Sequence, residues 1–220
     1  MRIIKPKVGG GFGQKIDMFA KDFCAAWFAM QLGKPVKFVY DREEVFISTR
    51  QRHPMYITVK TGMKKDGTIL AQKFQSYADG GAYNSTAPTM MALSCFFLMI
   101  PYKVPNLFYE GYHVYTNKPV GGAMRGHGIP QARFAVERQL DLMAERPGLD
   151  PTEIRVRNSI HAGEPHSAGF IINTCGFSES VKKAADAIGW KEKRGKLPFG
   201  RGVGLAGASF PSGVSNMSHI

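Results

Sequence analysis

The chain has 220 residues, of which 44% are hydrophobic and 21% charged, and its formal net charge is +12. This length and composition suit a globular protein with its own core. No apolar run reaches the roughly 18 residues that a membrane span requires, and residues 1–6 do not form a secretory signal, so we expect a cytoplasmic protein. The scattered basic residues favour an anionic substrate, an anionic cofactor or an acidic partner over nucleic acid.

The first part of the chain contains both strand and helix patterns. Its predicted strands lie at residues 5–8, 35–40, 55–62 and 68–77. The last two flank a Lys-Lys-Asp-Gly turn and predict a β-hairpin. Residues 17–32 are apolar nearly all round and end at Gly33, which predicts a buried helix.

The second part of the chain is richer in helices. A strand is predicted at residues 107–115, and the start of another at 201–209. Predicted helices cover residues 130–145, a segment that begins at Asp150-Pro151, and residues 178–188. Residues 191–196 are a dense basic run that we interpret as a solvated loop.

These elements predict a mixed α+β fold with helices and mixed sheets. Residues 1–118 would form a module with a glycine-rich loop, a buried helix and the hairpin sheet. Residues 119–220 would form a second glycine-rich loop, a helical connection and the start of a second module. Both ends of the chain are abrupt, so we expect an internal fragment of a longer subunit.

The three cysteines do not form a metal or disulfide pattern. Cys24, Cys95 and Cys175 lie far apart, and no CxxC pair is present. They therefore predict neither a zinc site, an iron–sulfur site nor a disulfide framework. We expect them to be small apolar core residues.

Two glycine-rich loops are the candidate functional segments. Residues 8–15, the glycine loop, precede a predicted helix, where backbone N–H groups can approach an anion. Gln14 breaks the Rossmann pattern, and Ile16 breaks the phosphate-binding pattern that needs Ser or Thr after the lysine. Residues 121–128, the arginine loop, contain Arg125 and His127 among small residues. Taken separately, a tight turn and a surface arginine are the simpler interpretations.

Together with three further segments, the loops resemble the molybdenum-cofactor subunits of the xanthine dehydrogenase family, which includes aldehyde oxidoreductases and 4-hydroxybenzoyl-CoA reductase. The segments with this resemblance follow in the same order and cover nearly the whole chain: residues 7–13, 102–106, 124–131, 148–151 and 155–158. Each segment alone is a weak sign of this family, whereas the series of segments in this order is a strong one.

The resemblance implies a molybdenum–molybdopterin cofactor, either in the simple form or as the cytosine dinucleotide. The N–H groups of Phe12 and Gly13 would approach the oxygen and sulfur ligands of the metal, and Arg125 would hold the centre from the other side. The implied cofactor-binding residues are Gly11, Phe12, Gly13, Arg125 and Gly126. The pterin would bind the metal, with no protein side chain as ligand. Iron–sulfur clusters and FAD would lie on partner subunits, an iron–sulfur subunit and a flavin subunit.

Three positions of the implied substrate site differ from the purine-oxidising members of the family. Ile16 replaces a glutamate, Leu93 replaces an arginine, and His127 replaces an aromatic residue that stacks on the purine. A purine would leave polar groups unpaired against these side chains. The resemblance therefore predicts an aromatic, aryl-CoA or aldehyde substrate, and 4-hydroxybenzoyl-CoA reductase is favoured over purine oxidation.

The implied catalytic glutamate is missing from this chain. The family has it in a Gly-Glu-Pro motif much farther along the subunit, so we interpret Glu164 of Gly163-Glu164-Pro165 as a loop residue. We therefore assign no catalytic residue to the chain and expect it to be inactive without the remaining part of the molybdenum subunit. The alternative is a non-catalytic basic interaction module or an inactive truncated gene product.

Overall fold

A mixed three-stranded sheet, with helices packed against it, forms the centre of the fold. The computed structural model describes residues 4–98, 100–166, 169 and 171–210. In chain order the elements are α1 (Ala20–Leu32), α2 (Arg42–Ser48), β1 (Met55–Met63), β2 (Ile69–Gly81), α3 (Ala87–Phe97), β3 (Asn106–Tyr115), α4 (Ile129–Glu145), α5 (Pro151–Arg157), α6 (Phe177–Ile188) and α7 (Trp190–Lys193). The predicted α+β class is confirmed.

The predicted hairpin is formed by β1 and β2. These strands pair antiparallel from Met55 opposite Ala78 to Met63 opposite Ile69. The other edge of β2 pairs with β3 in parallel, beginning with Ala71 opposite Asn106, and α3 lies in the crossover. β2 continues to Gly81, four residues beyond its predicted end at residue 77.

The core lies between the sheet and α4. The inward face of α4 carries Ala132, Val136 and Leu140, which are spaced four residues apart and nearly completely buried. They pack with Phe74 of β2 and with Ile154 of α5. Since α4 follows the arginine loop directly, this packing anchors the loop to the core.

A buried polar network ties α4 to α5 and to the segment before β3. The carboxylate of Glu137 accepts hydrogen bonds from the Tyr102 hydroxyl (2.7 Å), Arg155 Nε (2.8 Å) and the Gly207 N–H (2.7 Å). Arg133 Nη1 lies 3.5 Å from the same carboxylate. Glu137 compensates the charge of Arg155, which would otherwise be costly to bury, and Arg133 Nη2 donates to the carbonyls of Phe97 and Leu98.

Asn158 connects α5 to the hairpin. Its side-chain oxygen accepts from the Ile69 N–H at 2.8 Å, and its side-chain nitrogen donates to the carbonyls of Gly67 and Ile154, both at 2.8 Å. Tyr102, Arg155 and Asn158 belong to the segments that resemble the xanthine dehydrogenase family. In this structure their contacts hold the scaffold of the domain together.

Several local predictions were wrong. Residues 5–8, 35–40 and 201–209 were predicted as strands but are coil, because no described strand lies beside them to pair with their backbone groups. The predicted loop at 191–196 contains the short helix α7. α2 was not predicted, although Asp41 and Glu44 cap it through reciprocal hydrogen bonds of 2.9 Å.

The helix expected to be buried is exposed. α1 begins at Ala20, three residues later than predicted, and none of its residues is buried. Phe23 and Trp27 are 60% and 59% exposed, and Cys24 is exposed instead of lying in a core. Apolar residues on every side predict burial only if a partner surface is present, and the described part of the chain does not supply one. The division at residues 118 and 119 stays a prediction.

Candidate cofactor site

The two candidate loops are in direct contact. The N–H of Arg125 donates to the carbonyl oxygen of Phe12 at 2.7 Å. The Arg125 guanidinium carbon lies 6.0 Å from the centroid of the Phe12 ring. Segments that the sequence places far apart therefore form one continuous surface, which carries all five predicted cofactor-binding residues.

Close backbone contact requires glycine at this junction. Gly13 has a φ of +92°, and a Cβ added there would lie 2.3 Å from the carbonyl oxygen of Ala123. Any other residue would push the loops apart. The neighbouring Phe12 adopts a φ of +49°, a left-handed conformation that non-glycine residues rarely adopt outside functional segments.

A third segment, residues 50–53, contacts the arginine loop and Asp17, which lies two residues after the glycine loop. Arg50 Nε donates to the Asp17 carboxylate at 3.2 Å, just beyond the glycine loop, and the Ser85 hydroxyl donates to the same oxygen at 3.2 Å. Arg52 Nη2 donates to the carbonyl of Arg125 at 2.6 Å. The backbone of Gln51 runs beside the arginine loop and accepts from the Gly122 N–H at 2.9 Å. The 50–53 segment therefore supports the arginine loop and the residues that follow the glycine loop.

The sequence alone does not identify this segment. Arg50 and Arg52 are two of the basic residues scattered along the chain. The available signal is two arginines and a histidine within four residues, just before a strand. Such a signal predicts a basic patch but not what the patch contacts, because Arg52 and its hydrogen-bond acceptor Arg125 are 73 residues apart in the sequence.

The histidines of the site are held neutral. His127 Nε2 lies 3.2 Å from the Thr86 hydroxyl, and burial, followed by the charge of Arg52, lowers the pKa of His127. His53 is completely enclosed, and burial, followed by His127 and His113, lowers its pKa to about 4. The positive charge of the site at neutral pH therefore comes from its arginines and Lys15.

The three predicted substrate residues lie on different elements. Ile16 is exposed and follows the glycine loop. Leu93 is half-buried on α3, next to Ser94, whose hydroxyl donates to the Gly128 carbonyl at 2.8 Å. His127 is part of the arginine loop itself. α3 therefore packs against the arginine loop at the position where Leu93 was assigned, but a role of these residues in binding a substrate stays a prediction.

Glu164 is a loop residue, as predicted. Its carboxylate forms an ion pair with Lys103 and accepts from the His161 N–H at 2.8 Å. The hydrogen bond from Lys103, followed by that from His161, holds the pKa of Glu164 below its ordinary value. A carboxylate whose pKa is lowered by its hydrogen bonds is a poor general base, because it has little affinity for a proton.

Residues that could ligate a metal directly are dispersed. Among the described residues, no group of three or more His, Cys, Asp or Glu side chains could hold a metal ion. The donors around the two loops are instead backbone N–H groups and arginines, which suit an anionic group. No helix in the described parts of the chain is both long enough and apolar enough to cross a membrane.

Comparisons with known proteins agree with this geometry. The sequence model of the molybdopterin cofactor-binding domain family matches residues 1–159. The nicotinate dehydrogenase large molybdopterin subunit of Eubacterium barkeri is 37% identical over 199 residues, which cover 88% of this chain and 47% of that protein. The putative xanthine dehydrogenase molybdenum-binding subunit of Escherichia coli is 36% identical over 218 residues, or 96% of this chain and 29% of that protein.

Solved structures show the same relationship. The aldehyde oxidoreductase of Desulfovibrio gigas matches with a TM-score of 0.74 and 31% identity over 84% of this chain and 21% of that one. Quinoline 2-oxidoreductase of Pseudomonas putida matches with a TM-score of 0.75 and 28% identity over 84% of this chain and 24% of that one. The chain thus spans less than half the length of each of these relatives. It belongs to the molybdopterin cofactor-binding domain family and corresponds to part of the molybdenum subunit of enzymes of the xanthine dehydrogenase type.

Proposed function

We propose that the chain is part of the catalytic subunit of a molybdenum hydroxylase and binds the molybdenum cofactor at the surface that its glycine and arginine loops form together. The hydrogen bond from the Arg125 N–H to the Phe12 carbonyl carries the proposal, because it joins the two loops into one surface. The bound cofactor supplies the redox chemistry by which a substrate is hydroxylated or, in the reverse sense, reduced. Catalysis further needs a general base, which the rest of the subunit would provide.

The residues present fit such a cofactor. Gly13 lets the backbone of the glycine loop approach the arginine loop more closely than any side chain would allow. Phe12, Gly11 and Gly13 would offer backbone N–H groups to the anionic part of the cofactor, while Arg125 and Gly126 would hold it from the opposite side. Arg52 and Lys15 add positive charge, whereas the charge of Arg50 is offset by its ion pair with Asp17.

For the substrate we propose the aromatic, aryl-CoA or aldehyde class, with purines disfavoured. The support is chemical: Ile16 and Leu93 are apolar and would leave the polar edge of a purine unsatisfied. Relatives named for nicotinate, quinoline and aldehydes fit this class, while others are named for xanthine. The dinucleotide form of the pterin and the iron–sulfur and flavin partner subunits are part of the same proposal.

The test is an Arg125→Ala substitution in the complete enzyme, purified with its partner subunits. A charge-assisted hydrogen bond in a water-poor site contributes on the order of 2–3 kcal/mol, so we expect a rate at least roughly tenfold lower. Arg138→Ala, at an exposed position of α4, is the matched control. An unchanged rate with full molybdenum content would remove Arg125 from the site. A purified protein that holds no molybdenum would favour the non-catalytic alternative.

A further inference from the structure

Arg52 is a partly buried cation that is not paired with a carboxylate. The ion pairs of the described residues include Arg50, which contacts Asp17, but not Arg52. Burial alone lowers the pKa of Arg52. A desolvated guanidinium is costly unless carbonyl oxygens or an anion compensate it. A partly buried arginine without a carboxylate partner is therefore unusual for a residue whose only role is to interact with solvent.

The compensation visible in the structure comes from the arginine loop. Arg52 Nη2 donates to the Arg125 carbonyl at 2.6 Å, and Nη1 donates to the Gly126 carbonyl at 3.3 Å. Nη1 also lies 3.4 Å from the side-chain oxygen of Gln131 at the start of α4. The planar guanidinium fork suits this set of acceptors, whereas a lysine ammonium would not span it.

These contacts help to orient two peptide groups, and the Ile129 N–H also donates to the Gly126 carbonyl at 3.1 Å. A trans peptide is planar, so its carbonyl and its N–H point in opposite directions. The carbonyls of Arg125 and Gly126 belong to the peptides whose N–H groups are those of Gly126 and His127. By drawing both oxygens to one side, Arg52 directs these two N–H groups to the other side. Consecutive N–H groups that face one way form an anion-binding concavity.

We propose that Arg52 is a positioning residue of the cofactor site: it orients the arginine loop so that the N–H groups of Gly126 and His127 face the anionic cofactor. This inference rests on the proposed function. The same segment forms the Arg50–Asp17 ion pair just after the glycine loop, so one short segment contacts the arginine loop and the residues that follow the glycine loop. Arg52 acts through the loop and not on the substrate.

The test compares Arg52→Gln, Arg52→Lys and the exposed control Arg42→Lys in the complete enzyme. The readouts are molybdenum content, the rate of pterin release followed by its fluorescence, and the metal's electron paramagnetic resonance spectrum. We expect Arg52→Gln to release the pterin at least about tenfold faster, because an oriented charge-assisted contact set is lost. Arg52→Lys should restore part of this loss, and Arg42→Lys should match the wild type.

The outcomes separate this inference from the proposed function. If the purified wild-type enzyme holds no molybdenum, the proposed function fails. If the wild-type enzyme holds molybdenum while both Arg52 variants release the pterin at the wild-type rate with an unchanged spectrum, the positioning role alone is wrong. Should Arg52→Gln fail to fold, Arg52→Lys decides: release about threefold faster supports the role, and release at the wild-type rate overturns it.

Discussion

Removal of the Glu137 carboxylate should strongly destabilise the domain. Glu137 is only 6% exposed and faces Arg133 and Arg155, which are 5% and 0% exposed. Its oxygens accept hydrogen bonds from Tyr102, Arg155 and the backbone of Gly207. Glu137→Ala would leave two buried guanidinium groups with less negative charge nearby. Asp141, at 2.9 Å from Arg155 Nη1, would compensate only one of them.

The magnitude follows from the cost of breaking a buried ion pair. Removal of one partner typically costs about 3–5 kcal/mol, since the other charge is left uncompensated. The total stability of a domain is about 5–15 kcal/mol, so the loss takes a large share of it. Glu137→Gln should cost less than Glu137→Ala, because the amide oxygen still accepts from Tyr102.

Urea unfolding of the chain, followed by far-ultraviolet circular dichroism, measures these differences. Glu145→Ala is the control, because Glu145 is exposed on the same helix and should change the free energy of unfolding by less than about 0.5 kcal/mol. If Glu137→Ala unfolds at the same urea concentration as Glu145→Ala, the network does not stabilise the fold in the way we argue.

Three further predictions concern the site and the isolated chain. Gly13→Ala should separate the loops, because its Cβ would lie 2.3 Å from the Ala123 carbonyl oxygen. The molybdenum content of the complete enzyme should therefore fall several-fold. A full molybdenum content would show that cofactor binding does not need this close contact. The isolated chain should turn over no aldehyde, purine or aryl-CoA, and any activity would contradict this. It should also self-associate through α1, where Trp27 is exposed, and a reversible monomer in sedimentation experiments would contradict this. The pKa of His53 is lowered to about 4 in the folded chain, so between pH 6.5 and about pH 4 the unfolded chain binds a proton that the folded chain does not bind. The free energy of unfolding should therefore fall as the pH falls through this range. His53→Gln should flatten the dependence of the urea midpoint on pH, and an unchanged slope would assign the dependence to other groups.

The sequence predicted those elements that local signals determine. The hairpin has a Lys-Lys-Asp-Gly turn, α5 begins just after the cap residue Asp150, and α6 ends just before Gly189, so their positions were predicted to within a few residues. The exposure of α1 was not predictable, because an apolar pattern indicates that a helix needs a partner surface but not whether the chain supplies that surface. The isolated strand patterns failed for the same reason.

The site was predictable only in part. The two loops were identified separately from glycine spacing and by resemblance, but the contact between Phe12 and Arg125 is a property of the folded chain. Arg52 gave no signal of its role, since a side chain that binds distant carbonyls leaves no periodicity in the sequence. Buried charges such as Glu137 were also missed, because their partners lie on other elements.

The distribution of burial along the chain has a consequence for how the site is assembled. None of the described residues from 4 to 52 is buried, whereas the arginine loop continues directly into the core helix α4. The glycine loop therefore belongs to the least protected part of the chain, and its amides should exchange hydrogen through local opening while those of α4 exchange only on global unfolding. A cofactor bound to both loops, as we propose, would act as a cross-link between these two regions. Part of its binding free energy would then suppress local opening of residues 4–52, so substitutions far from the cofactor that loosen α1 would weaken its affinity.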